Sequence, residues 1–333
     1  MSPKEITPDR LVQMSHGFQS AKIMMTANEL GIFKALGEGA KTADEVADGL
    51  RLDHDATGML MGALVGLGLV NHKNGKFSNA PDVQRFLASE AEGSIACITR
   101  HMNHLYETWG RLGEIVKRGR PKKAAPSKLL TDKKQNRDFI CGMFEVGYGT
   151  AKLLADTIDL SGVKKMADIG GGPAEYPIAF SKKNSETQFV LADYPNTIKV
   201  AKDYIKKYGL EKRIKPVSCE FFDVNELGIG DDFDLALLSQ VLHAQDDKKA
   251  AGLIKKVYAI LKPGGRIVIN ENALNEDRMS PSPPLVFAIN MLVQNAGRTF
   301  TASEISGWLK EAGFKAIKSK RLHDRSLIIE AKK

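Results

Sequence analysis

Residues 165–175 read KMADIGGGPAE, and the change of character along this stretch decides the fold. Positions 165–169 are apolar enough for a strand buried on both faces; three consecutive glycines and a proline then stop it, and a helical pattern starts near Glu175. Glycine is needed where backbone must come close to a ligand, and the carboxyl end of a parallel strand is where open α/β sheets hold a nucleotide. The next apolar run, 189–192, ends in Asp193, a carboxylate placed to accept both hydroxyls of a ribose.

Two kinds of nucleotide use such a turn. A dinucleotide site needs a third glycine so that the helix N-terminus can meet pyrophosphate, but Gly170 and Gly172 are followed here by Glu175. That carboxylate opposes a phosphate by like charge, whereas a sulfonium nucleoside carries none. The third strand, 215–219, leads into Glu220-Phe221-Phe222-Asp223, which offers an acceptor for an adenine amino group and a ring to lie on the base. Strands at 234–238 and 266–270 follow, the second fed by a Lys262-Pro263-Gly264-Gly265 turn, with a helix over 246–261 between them. A helix at 303–312 and strands at 315–321 and 326–331 complete the pattern. Such an antiparallel finish on a parallel sheet favours a methyltransferase over a dehydrogenase.

Upstream, helical spacing after Met24 stops at Gly37 and Gly39, and Thr42 with Glu45 predicts a capping box opening a short helix. A second short helix, capped by Asp53 or Asp55, buries Met59, Leu60, Leu64 and Leu67, and Asn74-Gly75 between strand-like pieces predicts a hairpin. Three helices and a hairpin make a winged helix. A DNA reader would place Arg, Lys, Asn or Gln on the second short helix, yet no Lys or Arg occurs from Asp53 to Leu69. An apolar surface there suits self-association. A helical stretch is expected from 82 to 119, carrying His101, His104, Tyr106 and Trp109; the His-x-x-His pair has no third ligand in view, so these residues are assigned to packing or to an acceptor pocket.

Charge and composition narrow the classes further. The net charge of +8 comes from one segment, 117–137, with nine basic residues against Asp132, and two prolines within it mark a solvated connector, not a nucleic-acid face. Three scattered cysteines without a CxxC pair imply neither disulfides nor a metal site. The longest apolar run, 59–70, is too short for a bilayer, and the first ten residues lack a signal-peptide core, so a cytoplasmic protein without membrane partners is expected.

The segments ADIGGG (167–172), LADYP (191–195), LLSQVLHAQDD (237–247), LKPGGRIVINE (261–271) and GRTFTASEISGWLKEAGF (297–314) together resemble the class I methyltransferases of the plant caffeic-acid and acetylserotonin O-methyltransferase type. The likeness covers nearly the whole chain. It implies a Rossmann-like, doubly wound seven-stranded sheet with a terminal antiparallel hairpin, plus an N-terminal helical winged-helix domain that forms a homodimer. It divides the chain into a dimerisation domain (1–118), a basic connector with a linking helix (119–150) and a cofactor domain (151–333). It further implies S-adenosyl-L-methionine as cofactor. Asp168, Gly170 and Gly172 would line its amino-acid end, Asp193 its ribose, Glu220 and Phe221 its adenine, Ser239 its carboxylate, and Met143 would cover it. His243 falls at the family's catalytic base and Glu271 at one of two flanking glutamates. The chain departs from the pattern at Ala244-Gln245, at Gly297, which replaces the second glutamate, and at Ala174, which replaces a glycine.

Methyl transfer then needs a base near the attacking oxygen. A phenol of pKa about 10 is protonated at neutral pH, and an imidazole of pKa about 6.5 can accept its proton as the bond forms. O-methylation of a small hydroxylated aromatic or polyketide-like metabolite follows, with N- or C-methylation, or a winged-helix regulator that keeps the pocket, as alternatives.

Overall fold

The computed structural model describes residues 6–89, 91–119, 132–294 and 297–333. Most of the basic connector, 120–131, lies outside the described residues. The chain forms two compact units, Met1–Glu107 and Thr108–Lys333.

In the first unit, helices Pro8–Leu30, Ile32–Gly37, Ala43–Leu50 and His54–Gly66 precede strands β1 (Val70–Lys73) and β2 (Lys76–Asn79). Thr42 and Glu45 close the capping box in both directions, and Asp53 accepts from the Ala56 N–H to cap the next helix. The hairpin turns through Asn74 (φ 54°) and Gly75 (φ 74°), the two left-handed positions of a type I′ turn. Lys41 pairs with Phe77 through two backbone hydrogen bonds and adds a third rung to this wing. Ile32, Phe33, Leu36, Val46, Met61, Leu64 and Val70 form the core. The amino-terminal half of Pro8–Leu30 finds no such cover: Leu11, Val12, Met14 and Phe18 are all more than half exposed.

The stretch 82–119 differs from the single helical run expected. It contains Pro81–Phe86, Ala96–Trp109 and Leu112–Arg118. Gly93 at φ 94° breaks the first from the second, and the Ser94 hydroxyl accepts the free N–H of Ala96 at the new helix start.

The second unit is built on a seven-stranded sheet with strand order β10-β11-β7-β6-β3-β4-β5, formed by β3 (Lys165–Ile169), β4 (Gln188–Asp193), β5 (Ile214–Ser218), β6 (Phe233–Ser239), β7 (Leu261–Glu271), β10 (Lys315–His323) and β11 (Ser326–Lys332). β3 to β7 run parallel; β11 is antiparallel to β7, and β10 to β11. Alternate residues bury opposite faces. Ala167, Ile169, Leu238, Ile267 and Ile269 meet helices Asp247–Ile260 and Ala302–Glu311, while Met166, Leu235, Leu237 and Val268 meet Lys133–Thr157, Glu175–Ser181 and Pro195–Lys207. This two-sided burial explains the nearly continuous apolar runs in the sequence. The expected turn at 262–265 is absorbed into β7, because Lys333 pairs with Gly264 and Gly265 and extends the ladder. A two-residue parallel pair, β8 (Ala273–Leu274) with β9 (Phe300–Thr301), carries too little pattern to be anticipated.

From β3 the chain winds outward to β4 and β5, then returns to the other side of β3 as β6 and β7. The loops after β3 and β6 therefore diverge, opening a crevice at the carboxyl ends of the strands. Among the described residues no helix is long and apolar enough to cross a membrane.

Candidate active site

The loop after β3 brings carboxyl groups together instead of dispersing them. Asp168 is wholly buried, and neither of its oxygens has a hydrogen-bond partner. Burial, reinforced by Asp193, holds its pKa well above the usual carboxylate range. Glu175, the first residue of the following helix, is buried with Oε2 also unpartnered, and burial followed by the charge of Asp168 pushes its pKa up in the same way. Asp193 is better served. Its carboxylate accepts from the N–H groups of Gly172 (2.9 Å) and Tyr194 (2.7 Å), yet burial outweighs these bonds and raises its pKa to about 6.

The glycines make this crowding possible. A Cβ on Gly171 would stand 2.4 Å from Asp168 Oδ2, and one on Gly170 would stand 2.5 Å from Val241 Cγ2 and 3.3 Å from the Phe221 ring. Both positions lie in contact with groups that line the crevice, so any side chain there displaces them. Ala174 takes the left-handed conformation (φ 73°) without being glycine.

At the end of β6 the chain turns sharply. Gln240 is left-handed (φ 55°), and a short 3-10 helix, Leu242–Ala244, presents His243. Glu271, at the end of neighbouring β7, organises this turn with one carboxylate: Oε2 accepts from the N–H groups of Leu242 (3.0 Å) and His243 (3.3 Å), and Oε1 lies 2.5 Å from His243 Nδ1. Both side chains are buried. Phe287, from helix Ser282–Val293, meets the imidazole edge-on at 4.8 Å. Trp109 Nε1 donates to Asn290 of that helix at 3.2 Å.

The expected site residues fall into three groups. His243 and Glu271 touch; Asp193 and Gly172 touch; Phe221 packs against Gly170 and lies 5.1 Å from the Tyr194 ring. Ser239 is drawn into a polar hub. Asn270, fully buried, donates through Nδ2 to Ser239 Oγ and to the Tyr176 hydroxyl (2.9 Å each) and accepts from Ser326. Glu220 is exposed in the loop after β5, and Met143 is half-buried on helix Lys133–Thr157, one turn before Gly147, which faces Glu175. Tyr176, Asn270 and Glu175 were not among the expected site residues; Glu175 had a signal, as the acid standing where a pyrophosphate site needs glycine.

Comparison with known proteins now decides the assignment. A sequence family described as "O-methyltransferase domain" matches residues 109–315, and one described as "O-methyltransferase dimerisation domain" matches residues 12–89. The chain belongs to the O-methyltransferase family. Among its relatives, the 3-hydroxy-5-methyl-1-naphthoate 3-O-methyltransferase of Streptomyces sahachiroi is 27% identical over 96% of this chain and 93% of its own. The acetylserotonin O-methyltransferase of Gallus gallus is 28% identical over 94% of each. The crystal structure of human N-acetylserotonin methyltransferase in complex with S-adenosylmethionine superposes with a TM-score of 0.84 at 27% identity, covering 100% of this chain and 99% of that one.

This O-methyltransferase is S-adenosylmethionine-dependent, and its crevice fits that molecule. Buried carboxyls without a partner call for a positively charged ligand, and S-adenosylmethionine carries both an ammonium and a sulfonium. A dinucleotide pyrophosphate would bring two further negative charges to the same place.

Proposed function

We propose that this O-methyltransferase methylates a hydroxyl group of a small aromatic acceptor, with His243 as the general base. The contact between His243 Nδ1 and Glu271 Oε1 carries the proposal. With Nδ1 donating its proton to a buried carboxylate, Nε2 is left as the acceptor, and the imidazolium that forms on proton transfer gains a counter-charge. Phe287 beside the ring, with Met291 on the same helix, supplies apolar surface for an aromatic substrate. The relative from Streptomyces, whose name gives a hydroxylated naphthoate as its substrate, supports an acceptor of this class.

S-adenosylmethionine, when bound, supplies a methyl group activated by positive sulfur. The residues of this chain hold it and aim the acceptor. Asp193, its carboxylate fixed by two backbone N–H groups, would take the ribose hydroxyls; Phe221 would lie on the adenine, with Glu220 beside it. Asp168 and the Gly170–Gly172 turn would enclose the amino-acid end, Ser239 its carboxylate, and Met143 would cover it. Orientation of the acceptor contributes more than proton removal, on the order of 7 kcal/mol or more in well-aligned cases.

The exposed apolar residues Val12, Met14 and Phe18 of helix Pro8–Leu30, within the matched dimerisation domain, and Leu11 just before that domain support a homodimer formed through the first unit.

A panel of hydroxylated aromatics incubated with methyl-labelled cofactor tests the function, with His243→Ala as control. The variant is expected to lose about 10²- to 10⁴-fold in kcat on an accepted substrate while binding cofactor normally. A variant that turns over at the wild-type rate removes His243 from the chemistry.

A further inference from the structure

The contacts expected for the cofactor leave one buried acid without a task. The carboxyl of Glu175 lies behind the glycine turn: its Oε2 is 3.6 Å from where a Cβ on Gly172 would stand, and its Oε1 is 3.0 Å from where one on Gly147 would stand. Helix Lys133–Thr157 thus keeps glycine, a poor helix former, at the position opposite this carboxyl. The groups facing Glu175 are Asp168 from β3, Asp193 from β4 and the Tyr176 phenol from its own helix, none of them cationic. Among the described residues, no Lys, Arg or His forms an ion pair with Asp168, Glu175 or Asp193. Asp168 and Glu175 together present three oxygens with no hydrogen-bond partner. Unsatisfied buried acids beside a ligand crevice are completed by a cation that enters with the ligand.

The turn has two sides. Gly170 faces Val241 and Phe221, on the way to His243, whereas Gly172 faces Glu175. The sulfonium must lie on the His243 side for its methyl to meet the acceptor, which leaves the ammonium for the other. We propose that Glu175, paired with Asp168, is the seat of the cofactor's α-ammonium and that binding expels a proton from this pair of acids. The proposal rests on the crevice being the S-adenosylmethionine site. In the free protein, burial and mutual repulsion raise the pKa of both acids well above the usual carboxylate range, so the pair holds a proton more tightly than exposed carboxyls do. The arriving ammonium donates N–H bonds to the one carboxylate that ionises and to the carbonyl oxygen of its still protonated neighbour, and the single displaced proton passes to solvent. Affinity therefore rises with pH until the pair is ionised in the free protein.

Titration calorimetry of the full chain, in buffers of different ionisation enthalpy, tests this with three probes. S-adenosylmethionine and S-adenosylhomocysteine both carry the ammonium; 5′-methylthioadenosine does not. Glu175→Gln keeps the shape and removes the charge. It is expected to weaken the first two by a similar factor, about 10- to 100-fold, to leave the third within about twofold, and to release about one proton fewer on binding. Gly147→Ala, which presses on the same carboxyl from the helix, is expected to produce the same selective loss on a smaller scale, and serves if Glu175→Gln does not fold. Unchanged affinity and proton count overturn the proposal; so does a loss shared by 5′-methylthioadenosine, or one confined to S-adenosylmethionine. Wild-type protein that binds neither S-adenosylmethionine nor S-adenosylhomocysteine defeats the cofactor site itself, a result distinguishable from all of these.

Discussion

Gly297 shows how a single position can be misjudged without its surroundings. In the sequence it stands as a missing acid beside the base. In the fold, a Cβ there would lie 2.0 Å from the carbonyl oxygen of Gln245 and 2.4 Å from that of His243, so its backbone rests directly on the turn that carries the imidazole. Gly297→Ala is expected to displace His243 and lower kcat by about 10- to 100-fold while cofactor affinity is retained, measured by initial rates and calorimetry. Asp193 makes a second prediction. Its folded-state pKa of about 6 lies above the ordinary 3.8, so the native state binds more protons than the unfolded state between these values. Stability from this group therefore falls as pH rises from about 4 to 6, and the penalty is complete above 6. Asp168 and Glu175 act in the same direction. The Tm of cofactor-free protein should accordingly decline from pH 5 to pH 7.5, with a shallower decline in Asp193→Asn. Asp193 is legible from its place at the end of an apolar strand, whereas His243 and Glu271 come only from the family resemblance, since neither stands out in the sequence without it. Asn270 is legible from neither, because its importance comes from partners on three other elements.

At the level of elements, capping explains why the short helices form where they do. Thr301 opens helix Ala302–Glu311 with a reciprocal capping box, and Glu304, its partner, also binds Arg298 and Arg278. These contacts hold the pKa of Glu304 down to about 2 against the opposing effect of burial. Arg298 in turn donates to Asp247, the first residue of the helix that follows the His243 turn. Thr301→Ala is expected to cost about 1 kcal/mol in urea denaturation and to lower kcat modestly, whereas Thr42→Ala, in the first unit, should cost a similar amount without changing kcat. Most strands were legible to within one or two residues, because burial on both faces leaves apolar runs that glycine and proline punctuate. The β8–β9 pair and the breaks within 82–119 were not: two residues show no period, and a helix interrupted by Gly93 and Ser94 keeps helical spacing on either side.

For the molecule as a whole, the division of labour between the two units sets the remaining prediction. The first unit has the outline of a winged helix, but its helix His54–Gly66 offers no Lys or Arg to phosphate. Its exposed apolar residues include Met59 and Leu67, on and beside this helix and expected from the sequence to be buried, as well as Leu11, Val12, Met14 and Phe18 on Pro8–Leu30. Met14→Asp combined with Phe18→Asp is expected to shift the protein from dimer to monomer in sedimentation experiments, because each change places a charge where apolar contact is required. A double variant that stays dimeric assigns the interface to another surface. The hub at Asn270 has a consequence for the order in which the molecule can be completed. Asn270 binds Ser326 at the start of β11, and β11 fills the gap between β7 and β10. A nascent chain emerging from the ribosome can pair β3 to β7 early, but it lacks the last anchor of Asn270, and hence of Ser239 and Tyr176, until that late strand arrives. Until then β7 carries an open edge, so a stalled or truncated product has both an unfinished crevice and a template for aggregation.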